Sequence, residues 1–136
     1  MEKTLGIIKP DAVKAKYSGN IIDRIEHEGF SIVGMRKIHL TKQQAEAFYD
    51  VHKERPFFGE LVSFMISGPV IVMALEKRNA IQSWRDLMGS TNPAAAAAPN
   101  TLRKLYGTSI SENATHGSDA PETARKEVAF FFPELN

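Results

Sequence analysis

The chain has no cysteine, which excludes disulfides, thiolate zinc sites and cysteine nucleophiles together. A reducing compartment fits that absence. An excess of either charge is lacking too: 17 Lys and Arg stand against 16 Asp and Glu, for a formal net charge of +1. So even a balance argues against a protein that coats nucleic acid, and leaves room only for a local basic cleft. No apolar run approaches the roughly 20 residues needed to cross a bilayer. The opening residues Met1 to Gly6 lack the charged-then-apolar layout of a secretion signal. The expectation is a cytoplasmic protein with neither nucleic acid nor membrane as partner. Also missing are the G-x-x-x-x-G-K-[ST] loop and the kinase-type glycine loop, so any phosphate site must be built from side chains rather than from a backbone cradle.

What is present suits one globular domain over residues 1–136, long enough to bury a single core. Thr4 to Lys9 reads as a buried strand that stops at Pro10, with Lys9 at its carboxyl end. That end is where α/β-type folds place ligand-binding groups, but a solvated lysine at a strand end fits about equally well. Ser18 to Glu28 reads as a helix with Ile21, Ile22 and Ile25 on its apolar face and Gly29 as its stop. Phe30 to Ile38 follows as a strand.

Thr41-Lys42-Gln43-Gln44 matches a capping box and opens a helix with Ala45, Phe48 and Val51 on one face. Pro56 ends it. A second helix, Gly59 to Ile66, is expected to bury Leu61, Phe64 and Met65. Tyr49, Phe57 and Phe58 sit in this corner, where aromatics more often serve the core than a ligand.

Val70 to Leu75 reads as a central strand buried on both faces. Asn79 caps the next helix, whose Ile81, Trp84, Leu87 and Met88 face inward. Arg85 lies at the edge of that face, where a cation also suits a helix C-terminus. From Gly89 to Glu112 runs a long connection with a run of alanines and a helical patch around Arg103. Its prolines and its returning apolar residues Leu102, Leu105 and Ile110 favour an ordered, functional loop.

The most suggestive stretch is Asn113-Ala114-Thr115-His116-Gly117-Ser118-Asp119. Asp119 is placed to N-cap a helix over Asp119 to Ala129, with Pro121 in the first turn and Glu122 as the capping-box acid. Gly117 permits a sharp turn and close approach beside His116. The other histidines have duller surroundings: His27 on a polar helix face, His39 at a strand end, His52 among charges. Lys9, Arg85, Arg103 and His116, if they converged, would make a polyphosphate site, with arginine forks gripping phosphate oxygens and lysine acting as a point charge.

Several motifs occur together and in order: Ile7-Ile8-Lys9-Pro10-Asp11-Ala12, Arg55-Pro56-Phe57-Phe58, Gly89-Ser90-Thr91-Asn92-Pro93, the stretch 113–119, and Glu127-Val128-Ala129-Phe130-Phe131-Phe132-Pro133. Over essentially its whole length the chain resembles the nucleoside diphosphate kinase family. The resemblance implies a ferredoxin-like α/β sandwich, a four-stranded antiparallel sheet covered by helices, with a helical hairpin and a long loop before the histidine strand. It implies transfer of a γ-phosphoryl group from a nucleoside triphosphate to a nucleoside diphosphate, in ping-pong steps through a phosphohistidine.

By the same resemblance His116 matches the nucleophile, Glu127 the carboxylate orienting its other ring nitrogen, and Ser118 the neighbouring hydroxyl. Lys9, Tyr49 and Asn113 match residues near the sugar hydroxyls and the transferred phosphate. Arg85, Thr91 and Arg103 match the phosphate clamp, and Phe57, Leu61 and Ile110 match a base slot that does not discriminate between bases. Mg²⁺ is implied as cofactor, held mainly by substrate phosphates rather than by protein ligands, and a homo-oligomer is implied as the assembly. Three positions depart from the family pattern: the longer alanine stretch Ala94 to Ala98, Asn100 in place of a glycine, and Thr115 in place of an aliphatic residue. Two other readings compete, a non-catalytic nucleotide-binding module of the same fold and a nucleic-acid binder. The first is disfavoured by the complete set of matched residues, the second by the near-neutral charge.

Overall fold

The computed structural model describes residues 1–91 and 99–135. Its frame is a four-stranded sheet of β1 (Glu2–Ile8), β2 (Ser31–Ile38), β3 (Val70–Lys77) and β4 (Thr115–Gly117) in the order β2-β3-β1-β4. Each neighbouring pair is antiparallel. β1 and β2 are consecutive in sequence yet β3 lies between them, the split arrangement of a ferredoxin-like sheet.

Helices cover both faces. On one side α1 (Pro10–Lys14), α2 (Ser18–His27), α5 (Ala80–Met88) and α6 (Leu102–Tyr106) close a core of Ile8, Ile21, Ile25, Met73, Leu75, Trp84 and Leu102. On the other, α3 (Lys42–Phe48), α4 (Phe58–Met65) and α7 (Pro121–Phe131) close a core of Leu5, Ile7, Phe48, Met65, Val70, Val72 and Val128. This explains why the central strands β1 and β3 are apolar without alternation, whereas the edge strand β2 alternates half-buried with exposed residues. Burying each such Ile, Leu or Val contributes about 1.5–3 kcal/mol. Among the described residues no helix is long and apolar enough to cross a membrane.

Local signals set most boundaries. The Thr41 capping box forms as expected, its hydroxyl accepting from Gln44 N–H and the Gln44 side chain accepting from Thr41 N–H. Gly29, at φ +92°, ends α2: the Phe30 amide donates to Ile25 O and the Gly29 amide to Glu26 O.

Elsewhere the structure corrects the expectation. α7 is capped by Ala120, not by Asp119, and no side chain caps it. Pro121 disfavours a helical residue before it, so Ala120 is extended (φ −157°, ψ 162°) and the helix starts one residue late for the capping box. Glu122 pairs with Lys126 instead. Asn79 does sit at the start of α5, but in a left-handed conformation with no side-chain cap; Glu2 Oε1 accepts the Ile81 amide in its place. Val51 does not join the face of Ala45 and Phe48, because α3 stops at Phe48 and a 3₁₀ turn at Asp50–His52 leaves Val51 80 % exposed. In α4 the core positions fall on Val62 and Met65, which turns Leu61 and Phe64 toward a cleft. α1 was not expected, and it starts at Pro10, where the missing N–H costs nothing. The alanine stretch Ala94 to Ala98 lies outside the described residues.

Candidate active site

His116 is the middle residue of β4 and pairs with Ile7 of β1. Alternation along the strand sends its ring toward α3 and α7, where it meets the edges of Phe48 (5.5 Å between centroids) and Tyr49 (6.2 Å). Its Nε2 lies 3.1 Å from Glu127 Oε1, and the same oxygen accepts the Ser118 hydroxyl at 2.7 Å. Ser118 is buried and its Oγ accepts the Leu5 amide at 3.3 Å, so the acceptor Glu127 is fixed through Ser118 to the central strand. A carboxylate oxygen can only accept, so the proton sits on Nε2 and Nδ1 keeps its lone pair.

Gly117 faces the opposite side. A Cβ there would come within 2.4 Å of Trp84 Cδ1 and 2.6 Å of Met88 Cε. The reason for glycine is therefore close approach of α5. That approach lets Trp84 Nε1 donate to the His116 carbonyl at 3.1 Å, fixing the backbone as well as the ring.

Lys9 follows the last residue of β1 and stands at the N-cap of α1, and it is buried rather than solvated. Its Nζ donates to Asn113 Oδ1 at 2.9 Å, and Asn113 Nδ2 donates to the Thr91 carbonyl at 3.1 Å. Burial, then the charge of Arg103, lowers its pKa to about 8, with Asp11 acting the other way. For a base depressed on folding, the contribution to stability is complete above 10.5 and is lost as pH falls through about 8. At neutral pH the protein therefore holds a buried cation at a cost of about 3 kcal/mol. Arg103 is also buried enough to bring its pKa down to about 10, with Arg85 nearby adding to the effect. Its guanidinium donates to the carbonyls of Gly89 at 3.1 Å and Thr115 at 3.0 Å. Arg103 thus feels the charge of Arg85 and is felt by Lys9, although the three come from a strand end and two separate helices.

Beside them opens a cleft of about 540 Å³, lined by Lys9, Phe57, Leu61, Phe64, Thr91 and Ile110 among others. Phe57 (46 % exposed) and Ile110 (60 %) present their apolar side chains at its walls. Every matched residue thus falls in one of three abutting groups: His116 with Glu127, Ser118 and Tyr49; the cations with Asn113; and the apolar cleft with Thr91. Tyr49 is buried, and its hydroxyl has no hydrogen-bond partner among the described residues. Burial, and secondarily Glu127, raises its pKa far above the ordinary phenol value.

A model of the nucleoside diphosphate kinase family matches residues 2–136. The chain belongs to the nucleoside diphosphate kinase family. It is 60 % identical to the nucleoside diphosphate kinase of Geotalea uraniireducens, over 99 % of this chain and 98 % of that one. To that of Pelobacter propionicus the identity is 62 % with the same coverage. Among solved structures, the Aquifex aeolicus nucleoside diphosphate kinase superposes with a TM-score of 0.96 at 46 % identity, covering 98 % of this chain and 96 % of that chain. The Encephalitozoon cuniculi nucleoside diphosphate kinase follows at 0.92 and 37 %, covering 97 % and 89 %.

The sequence alone assigned Phe48 and Trp84 to apolar helix faces with no link to the site, and gave Asp11 no role. The signal for Asp11 was its place one residue past the proline that follows Lys9. Asp11 Oδ2 accepts the Ala114 amide at 3.1 Å. Ala114 has φ +74°, and the Thr115 amide donates to Asn113 O at 2.9 Å, closing a three-residue turn around it. A left-handed alanine costs about 1–3 kcal/mol, and such strain persists only where surrounding bonds hold it.

Proposed function

We propose that the chain transfers the γ-phosphoryl group of a nucleoside triphosphate to a nucleoside diphosphate through a phosphohistidine at His116. The observation that carries this reading is the Glu127–His116 contact at 3.1 Å, braced by Ser118, because it leaves Nδ1 as the lone-pair nitrogen. In the first half-reaction Nδ1 attacks the γ-phosphorus, the bond to the bridging oxygen breaks, and the nucleoside diphosphate leaves. In the second, a terminal oxygen of another diphosphate attacks the phosphohistidine and frees the imidazole. The Glu127 carboxylate favours the positive charge the ring acquires when Nδ1 forms its fourth bond.

Lys9, Arg85 and Arg103 stabilise the charge on the transferred group, together with Thr91 and Asn113 as positioning groups. Phe57, Leu61 and Ile110 hold the base by apolar contact, which gives broad base specificity. Among the described residues no three His, Cys, Asp or Glu side chains gather to hold a metal, while the cations suit anionic oxygens. Mg²⁺ would be held mainly by the nucleotide's phosphates, beside Lys9, Arg85 and Arg103, and would supply charge neutralisation there. A second copy of the chain is the proposed partner, supported by the open edge of β2 with Val33 and Met35 exposed. The cytoplasm completes the reading.

The test is intact-mass spectrometry of the protein after incubation with ATP and Mg²⁺, kept at alkaline pH. One added phosphoryl group, lost on acid treatment or on adding any nucleoside diphosphate, is expected. Nucleotide binding with no added mass would favour the non-catalytic module instead.

Lys9 supplies an independent check. A phosphate ligand raises its pKa from about 8, so binding near pH 9 takes up a proton, approaching one per site. Calorimetry of diphosphate binding in two buffers of different ionisation enthalpy measures that uptake. Absence of uptake at pH 9, or the same uptake in Lys9→Met, would separate Lys9 from the phosphates.

A further inference from the structure

We propose that Asp11 is a positioning residue for phosphoryl transfer, its carboxylate holding the Asn113–Thr115 turn that sets Asn113 and His116. The proposal rests on the role assigned above to His116.

Three bonds from one short segment meet on this turn. The Lys9 amide donates to Ala114 O at 2.8 Å, Lys9 Nζ to Asn113 Oδ1 at 2.9 Å, and Asp11 Oδ2 accepts Ala114 N–H at 3.1 Å. Pro10 stands between the two residues and opens α1, so its rigid ring fixes how Lys9 and Asp11 are presented to the turn. Both backbone groups of the left-handed Ala114 are thereby engaged, one by a strand end and the other by a carboxylate, the stronger kind of acceptor. Ala114 is buried, so water cannot replace Asp11 as partner for its amide.

The second carboxylate oxygen, Oδ1, is buried with no hydrogen-bond partner among the described residues. Burial raises the Asp11 pKa above the ordinary carboxylate value, only partly offset by the amides of Ala114, Asp11 and Ala12 and by the charge of Lys9. The same carboxylate also lies against the amides of Asp11 and Ala12 at the start of α1, so it ties that first helical turn to the Asn113–Thr115 turn. Asn113 and His116 lie one residue before and two after Ala114. A turn free to relax would shift the Lys9–Asn113 pair against the Glu127-anchored ring, and misplacement of about 1 Å can cost on the order of 10²-fold in rate.

Asp11→Leu keeps the branched shape and removes the acceptor, whereas Asp11→Asn keeps an oxygen that can accept from Ala114. The readouts are the single-turnover rate of phosphoryl transfer from ATP to the protein and, separately, the affinity for nucleoside diphosphate. Asp11→Leu is expected to slow transfer at least about tenfold while affinity stays within about threefold, and Asp11→Asn to recover most of the rate. A Leu variant at wild-type rate overturns the proposal, as does a loss in affinity alone or an Asn variant impaired as badly as Leu. His116→Ala, run in parallel, separates this from failure of the underlying reading: if it still accepts a phosphoryl group, the nucleophile is wrong whatever Asp11 does. Should Asp11→Leu not fold, amide exchange decides in the wild type. Ala114 N–H is expected to exchange at least about a hundredfold slower than in an unstructured chain, and an unprotected amide overturns the proposal.

Discussion

His116→Ala is expected to abolish phosphoryl labelling and to lower nucleoside diphosphate kinase activity by roughly four to six orders of magnitude, the usual consequence of deleting a covalent nucleophile. Nucleotide affinity should change little, because the cations and the apolar cleft remain. The ring lies beside Phe48 and Tyr49 but is only part-buried, so its loss leaves a small cavity and a modest cost in stability. Mass spectrometry of the ATP-treated variant and a coupled assay of diphosphate phosphorylation measure the two effects. Labelling at the wild-type level would remove His116 from the reaction. A loss of only tenfold would assign it to positioning rather than to covalent transfer.

The largest expected effect on stability comes from the next residue. Gly117→Ala puts a methyl group 2.4 Å from Trp84 Cδ1 and 2.6 Å from Trp84 Nε1. Trp84 and Met88 are both buried in the same core, so neither can simply swing into solvent. Either β4 peels from β1 or the indole tilts and gives up its bond to the His116 carbonyl. Overpacking of this severity costs about 3 kcal/mol. For a chain of this size that lowers the melting temperature by roughly 10 °C. Thermal unfolding followed by circular dichroism reads the shift, and a drop under about 3 °C would mean that the contact with Trp84 is slack. Transfer should slow too, since the indole helps to hold the histidine backbone.

Both effects converge on a three-residue strand whose importance outweighs its length. β4 carries His116 outward to Glu127 on one face and seats against Trp84 on the other. The site thus borrows its rigidity from the two halves of the core at once. The cations are the opposite case. Lys9 and Arg103 are held with depressed pKa values, a standing cost that an anionic ligand relieves. Stability given up at the site in the free protein is available to ligand binding.

Local pattern made most of the fold legible. The uninterrupted apolar run of Val70 to Leu75 marked a strand covered on both faces, and Ile81, Trp84, Leu87 and Met88 marked the inward side of α5. The Thr41 box was readable because its partners are three residues apart. The boundary at Ala120 was not, because two competing local rules met there and the proline constraint won. Nor was the cap of α5, since its acceptor, Glu2, comes from the other end of the chain.

The sequence by itself determined which side chains the site has at its disposal and, through the spacing of several motifs, the family to which they belong. It could not place Lys9, Arg85 and Arg103 within reach of one another, show that Lys9 is buried, or assign the proton of His116 to Nε2. Those depend on β3 entering between β1 and β2, on α5 closing over Gly117, and on Glu127 returning to the strand from α7. The physical reason is range. Strand and helix periodicity is fixed by neighbours a few residues away. The pKa of Lys9 and the left-handed Ala114 are fixed by groups about a hundred residues distant, and the tautomer of His116 by a carboxylate on another element, all of which meet only when the chain has folded.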